Sequence, residues 1–191
     1  MDGIPLCIRL DGKNFSNVKR DKPFDPKFTA AMLAAANKVF KESNAKFCYT
    51  SSDEITLILI QETDRSQHYL GGKFFKLNSI LASYATIEFN KIMGGEQVFD
   101  CRSFNVPDDI EAMNLITWRF KECRRNAILT MAQDIYSHKQ LQGLSTSNVT
   151  SMINYSEMPD VIKYGTFIRK DMSESIDFMG VDRMEYIYGD R

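Results

Sequence analysis

The run Ile55-Thr56-Leu57-Ile58-Leu59-Ile60 limits the possible folds more than any other stretch of this chain. It is short, largely β-branched and bounded by polar residues, which fits a strand, here extended over Ile55–Gln61. It is too apolar for the exposed edge of a sheet. Just before it, Lys46–Thr50 reads as a second strand. The residues between, Ser51-Ser52-Asp53-Glu54, read as a turn, giving a β-hairpin with an acidic pair at its tip.

The flanking segments supply the rest of a sheet. Ile4–Asp11 reads as a buried strand ended by Gly12. Residues 13–25 are polar and irregular. A helix is expected from Pro26 to Ser43, with Asp25 as N-cap and Phe28, Met32, Ala35 and Val39 on one face. After a polar stretch, Glu62–His68, a second helix runs from about Gly72 to Met93. Its expected apolar side is Phe75, Ile80, Tyr84, Ile87 and Phe89. Phe99–Val106 is a further strand. The order β-α-β-β-α-β describes an α+β fold: a split βαβ, ferredoxin-like antiparallel sheet with two helices on one face, as in polymerase palms. Many binding modules share that layout, so it does not define a function.

A long helix is expected over Asp108–Tyr136, carrying Trp118 and the basic residues Arg119, Lys121, Arg124 and Arg125. A short helix capped near Ser145 runs through Ile153, and Gly165–Lys170 is a possible strand. Residues 171–191 are charged and end in a Tyr-rich, strand-like piece. Residues 1–106 are therefore expected to form a palm-like catalytic core. Residues 107–191 form a long helix and C-terminal extension completing the same domain.

A formal net charge of -1 argues against binding nucleic acid by bulk electrostatics, though a local basic patch is compatible with it. The four cysteines, Cys7, Cys48, Cys101 and Cys123, form no CxxC pair. They read as reduced thiols rather than zinc ligands. No apolar run is long enough to span a membrane, and the N-terminus has no signal-peptide core. A cytoplasmic protein is the expectation.

Two carboxylates, Asp11 and Asp53, each stand where an apolar strand gives way to a turn. In split βαβ order their strands are neighbours, so both reach one edge of the sheet. Paired aspartates of this kind can hold divalent metal ions and drive phosphoryl or nucleotidyl transfer. Taken singly, each has a plainer reading, since Asp-Gly after a strand is commonly a turn and Ser-Asp-Glu a solvated hairpin tip. Lys73 and Lys76 share a helix face that elsewhere serves solubility alone. His68 and His138 show no metal-ligand spacing.

The motifs together resemble the tRNA-His guanylyltransferase family, particularly its bacterial and phage guanylyltransferase-like members. The matching pieces are Ile8-Arg9-Leu10-Asp11-Gly12-Lys13-Asn14-Phe15, Lys22-Pro23-Phe24-Asp25 and Tyr49-Thr50-Ser51-Ser52-Asp53-Glu54-Ile55. Phe99-Asp100-Cys101-Arg102-Ser103-Phe104-Asn105, Trp118-Arg119 and Ser137-His138-Lys139 follow in family order. The resemblance implies a nucleotidyltransferase that extends the 5′ end of tRNA in the 3′→5′ direction, either guanylylating tRNA-His or repairing truncated tRNAs. It implies two Mg²⁺ ions held by Asp11, Asp53 and the Gly12 carbonyl, GTP and ATP as substrates, tRNA as partner, and a homotetramer. Lys22 falls on a lysine of the activation chemistry and joins Asp11 and Asp53 as a catalytic residue. Ser52, Glu54, Lys73, Lys76, Arg9, Lys13, Asn14 and Phe15 fall on the nucleotide site. Arg102, Arg119, Arg124, Arg125, Asn126, His138 and Lys139 are implied RNA contacts.

The chain departs from the family pattern in three places. Cys123-Arg124-Arg125-Asn126 replaces a His-Ile-Asn-Asn motif, Phe120 replaces a Gln, and a later Lys-Asn-Glu motif has no counterpart. These departures weaken the case for tRNA-His recognition and leave the metal-centred chemistry intact. The chain also begins close to its first strand, so the usual N-terminal segment is expected to be short or missing. Two other functions fit the same residues: a nucleotide cyclase or a nucleotidyltransferase with a non-tRNA substrate, and an inert RNA-binding module.

Overall fold

The structure, a computed structural model, describes residues 4–18, 21, 23–61 and 67–169. Strand β1 (Leu6–Gly12) leads to helix α1 (Pro26–Ser43), then to the hairpin β2 (Phe47–Ser51) and β3 (Glu54–Leu59). Helix α2 (Phe74–Met93) and strand β4 (Phe99–Asn105) follow. The chain continues through the long α3 (Asp109–Ile135), the short α4 (His138–Leu141), α5 (Thr146–Met152) and α6 (Asp160–Tyr164), and strand β5 (Thr166–Arg169). The sheet order is β4-β1-β3-β2-β5, and every neighbouring pair is antiparallel. The apolar hairpin strand β3 lies in the middle, and all six of its residues are buried.

Local chemistry fixes the helix ends. The Asp25 carboxylate accepts hydrogen bonds from Lys27 N at 2.8 Å and Phe28 N at 3.1 Å, and Pro26 occupies the first turn of α1. Asp108 caps α3 by accepting from Glu111 N at 2.8 Å. Helix α2 starts two residues later than expected, because Leu70 and Gly71 take left-handed φ values of 54° and 65° just before it. Its buried stripe is Leu77, Leu81, Ala85 and Phe89, whereas Phe75 and Ile87 point to solvent. Helices α4 and α6 had no sequence signal, since pieces of about one turn show no periodicity. The Tyr-rich end expected over 171–191 lies outside the described residues.

The two faces of the sheet carry separate cores. Leu6, Ile8, Leu10, Ile55 and Leu57 point toward α1 and α2. There Phe15, Phe28, Phe89 and Phe99 form an aromatic cluster with ring centroids 4.9–6.0 Å apart. Cys7, Tyr49, Ile58 and Phe167 point the other way and are covered by Ala112, Ile116, Phe120 and Cys123 of α3. Phe120, in place of the expected Gln, is part of this second core and stacks on Tyr164 at 6.1 Å. Burial pushes the thiols of Cys7 and Cys101 up to about 12, and all four cysteines are free, consistent with reduced packing residues.

The Phe15 ring lies directly against Gly12. A Cβ at Gly12 would overlap the ring, so this glycine is required by space rather than by its φ. Phe15, expected at the nucleotide site, is instead 1% exposed. It acts as the floor beneath the turn that follows Asp11.

Candidate active site

Strand register builds the site. Asp11 stands opposite Glu54 on one side and Asp100 on the other. Directly opposed residues of antiparallel strands share a face, so these three carboxylates form a row across β3, β1 and β4. A second row, two residues back, holds Thr56, Arg9 and Arg102. Both rows lie on the face that α3 covers in part.

The hairpin tip is stitched to the end of β1. Gly12 N donates to Asp53 O at 3.0 Å, and Lys13 N donates to Val98 O at 2.9 Å. Ser52 and Asp53 form the tip, and Ser52 adopts φ 51°. Asn14, in the turn after β1, adopts φ 58°. Non-glycine residues in this region carry a strain of order 1 kcal/mol. Two such residues therefore border the acidic edge, one on each loop.

Asp11 is half-buried, and its pKa is raised. Burial is the main cause, and the charges of Asp53 and Asp100 add to it against the opposing pull of Arg9 and Arg102. Among the described residues no group of three or more His, Cys, Asp or Glu side chains is arranged to hold a metal. A cation here would therefore rest on Asp11, Asp53 and backbone oxygen. That all-oxygen set suits a hard ion such as magnesium, and a positive charge would relieve the repulsion already felt by Asp11.

Glu54, expected as a nucleotide contact, has a different role. It is 7% exposed and sits between two arginines. Arg9 Nη2 lies 2.5 Å from Oε2, and Arg119 reaches both oxygens at 2.6 Å. Arg119 Nη2 donates a true hydrogen bond. Arg119 Nε is close to Oε1, but its N–H is not aligned with that oxygen, so that half of the contact is ionic. Thr56 Oγ1 adds a hydrogen bond to Oε1 at 3.3 Å. Burial pushes the Glu54 pKa up, while Arg119 and then Arg9 pull it down. Arg9 and Arg119, expected at the nucleotide and the RNA, are thus both engaged by this carboxylate.

A cavity of about 180 Å³ opens beside the hairpin tip. Its mouth includes Ser52, Asp53 and Asp25, and its walls come from α1, α3, α6 and β5. Asn126 of α3 lines it. Neither the cavity nor the place of Asp100 beside Asp11 was anticipated. Asp100 could have been found, because it lies in a motif already matched and faces Asp11 by simple strand alternation.

The remaining site residues separate. Lys13 and Asn14 are exposed in the turn beside Asp11. Lys22 lies outside the described residues. Lys73 and Lys76 are exposed at the start of α2, at the opposite end of the sheet from Asp11. Thr86 bonds Phe99 N, level with Gly12, and the two lysines lie about 20 and 15 Å back along the helix. They do not join the acidic edge within one chain. Arg102 is exposed, 3.5 Å from Asp100. Arg124 and Arg125 are exposed further along α3 and, with Lys121, line an open groove against Thr146, Ser147, Thr150 and Ser151. His138 and Lys139 are exposed on α4, roughly 25 Å beyond Arg119 along α3.

Sheet order and helix placement make this an α+β protein of the palm-like, split βαβ class. Residues 1–107 match the model of the Thg1 family, tRNAHis guanylyltransferase. A relative, the uncharacterized protein R259 of Acanthamoeba polyphaga mimivirus, is 30% identical over 205 residues. That match covers 87% of this chain and 70% of the relative. A bacterial tRNA(His) guanylyltransferase (Thg1)-like protein, solved in complex with ATP, matches with a TM-score of 0.88 and 27% identity. The match covers 98% of this chain and 90% of that one. The tRNA(His) guanylyltransferase of Saccharomyces cerevisiae shares the fold, with a TM-score of 0.79 at 19% identity over 97% and 93% of the two chains. The chain belongs to the tRNAHis guanylyltransferase family, and it is a nucleotidyltransferase.

Two measurements check the electrostatics. Arg119→Ala should cost about 3 kcal/mol in urea denaturation, because it strips a buried carboxylate of its main partner. Arg125→Ala, on the exposed face, should stay within about 0.5 kcal/mol of wild type, and equal losses would refute the difference. Asp11 binds its proton more tightly folded than unfolded, so stability falls as pH rises through that range and the loss is complete at neutral pH. In EDTA at pH 7, Asp11→Asn should therefore melt above wild type. The gap should close as pH falls through the raised Asp11 pKa toward the ordinary aspartate value, and a lower-melting variant at pH 7 would contradict the account.

Proposed function

We propose that this chain is a magnesium-dependent nucleotidyltransferase that adds nucleotides to the 5′ end of tRNA in the 3′→5′ direction. The observation that carries the reading is the pairing of Asp11 and Asp53 at one sheet edge, tied by the Gly12–Asp53 backbone bond, beside a cavity. Membership of the tRNAHis guanylyltransferase family supports it, as does the likeness to a bacterial Thg1-like protein that binds ATP.

In this reading Asp11, Asp53 and the Gly12 carbonyl hold two Mg²⁺ ions. When bound, they supply Lewis-acid stabilisation of phosphate charge and acidify an attacking hydroxyl. Asp11 and Asp53 therefore act by holding charge in place, and no side chain has to serve as general base. Ser52, exposed at the hairpin tip beside Asp53, takes a phosphate oxygen of the nucleotide. The reaction joins the 3′-hydroxyl of one nucleotide to the activated 5′-phosphate of the RNA and expels pyrophosphate from a triphosphate end, or AMP or GMP from an end that ATP or GTP has capped with loss of pyrophosphate. A 5′-monophosphate end is first activated with ATP or GTP, and Lys22 is assigned to that step by the family pattern.

The tRNA is assigned to the groove of Lys121, Arg124 and Arg125, whose exposed cations suit phosphodiester oxygens. Asn126 stands between that groove and the cavity, lining the latter. Repair of damaged tRNA is preferred to tRNA-His guanylylation, because Phe120 and Arg124 replace residues of the tRNA-His pattern. A homotetramer completes the proposal. Lys73 and Lys76, remote from Asp11 in their own chain, would then serve a neighbouring subunit.

Incubation with Mg²⁺, ATP, labelled GTP and a 5′-truncated tRNA should lengthen the RNA. Asp11→Ala and Asp53→Ala should each reduce addition to background while keeping the wild-type circular dichroism spectrum. Wild-type addition by Asp53→Ala would end the assignment, and cyclic nucleotide formed without RNA would favour a cyclase. Light scattering should report four subunits; a monomer with full activity would remove the intersubunit role of the two lysines.

A further inference from the structure

Trp118 is the only tryptophan of the chain, and it is 59% exposed on α3. One apolar side chain at a surface needs no explanation by itself. This ring, however, is held in place. The Arg119 guanidinium lies over it, 5.3 Å from the centroid, and Glu54 engages Arg119 through both carboxylate oxygens. A cation anchored in this way orients the indole and occupies one of its faces. The rest of the ring is a flat, preset surface open to solvent.

The surroundings of the ring are specific. Lys121 and Arg125, three and seven residues further on, fall on the same side of α3 as Trp118. Both are exposed, and both line the groove against α5. Glu122 shares that side but is half-buried. Arg125 lies about 10 Å along the axis from Trp118. Around the helix in the other direction, Arg119 reaches Glu54, which stands directly opposite Asp11 in the sheet. Trp118 is therefore placed between exposed cations and the acidic edge.

That position narrows what covers the ring. A second copy of this chain would need an apolar patch around it, whereas the exposed neighbours on α3, Asn114, Lys121 and Arg125, are polar or charged. A phosphodiester strand seated on Lys121 and Arg125 carries its bases within reach of the indole. Unpaired bases stack on exposed aromatic side chains whatever their identity, while paired bases are already stacked within their own helix. We infer that Trp118 is a stacking platform for an unpaired base of the RNA, whose phosphates run along Lys121 and Arg125 and whose 5′ end lies toward Asp11 and Asp53. This rests on the tRNA reading above, and it adds the residue that takes a base and the state of the RNA it accepts.

As the only tryptophan, the ring reports on itself by fluorescence. Wild type is titrated, without nucleotide, with a labelled 5′-truncated tRNA and with the same tRNA trimmed at its 3′ end until every acceptor base is paired. Anisotropy of the label follows binding in parallel. The first RNA should quench Trp118 as it binds, and the second should bind with the emission unchanged. Trp118→Ala should weaken the first RNA at least about fivefold and the second by less than about twofold. Trp118→Phe keeps a ring and should stay within about threefold of wild type for both. Binding of the first RNA without quenching, or equal quenching by the two, would overturn the inference and leave the nucleotidyltransferase reading standing. Quenching by GTP with Mg²⁺ but by neither RNA would also overturn it, because the ring would then belong to the free nucleotide. A lower mass of Trp118→Ala in light scattering would make the ring a subunit contact, with the same result. Failure of wild type to bind either RNA would overturn the tRNA reading and the inference together.

Discussion

Glu54 joins the parts of this molecule that have to be held in register. It belongs to the central strand, its carboxylate meets Arg9 of β1, and Arg119 reaches it from α3. Three elements distant in sequence are thereby pinned at the height of the acidic edge. Burying a carboxylate among two guanidiniums gives little net stability compared with an apolar contact, but breaking the set is costly. Such an arrangement favours one seating of α3 over all others, because sliding the helix by one turn would move Arg119 about 5 Å and leave Glu54 short of charge. The placement of Asn126 at the cavity and of the basic groove beyond it follows from that seating.

The acidic edge carries a tension of the opposite kind. Asp11 has like charges on both sides, from Asp53 and Asp100, and two loops that border it contain left-handed residues. A protein selected for stability alone would not keep these features. They make sense together as a site prepared for positive charge, with the aromatic cluster under Gly12 and the Glu54 set supplying the rigidity that offsets the repulsion.

Much of the fold was legible in the sequence, for identifiable reasons. Asp25 and Pro26 announced the start of α1, and the apolar run of β3 required an interior strand. The misreadings are equally physical. Helix α2 is apolar on more than one side, so Phe75 and Ile87 were placed inward although the buried stripe is Leu77, Leu81, Ala85 and Phe89. Arg119 was grouped with a charged run, yet it lies three residues after Ile116 and four before Cys123, on the buried face of α3. Phe15 was carried along by its motif, where its service is to the core. Lys73 and Lys76 show what sequence alone does not hold: which end of a sheet a helix begins at depends on strand register. The pairing of Asp11 with Asp53 needed only the order of elements, so it was readable. The cavity is closed by α6 and β5, which gave weak signals or none.

The last strand has a consequence for how the molecule comes into being. Strand β5 pairs with β2 after α3 to α6 have been traversed, and the Tyr49–Tyr164 bond spans 115 positions of chain. Contacts that distant close late, since the loop between them has to be ordered first. On a ribosome, β1 to β4 can assemble while β5 is still inside the exit tunnel. The nascent protein would then present both carboxylates on a finished edge with no wall behind them. The cavity beside the hairpin tip is walled in only with the final few residues of the sheet, well after the acidic edge has formed.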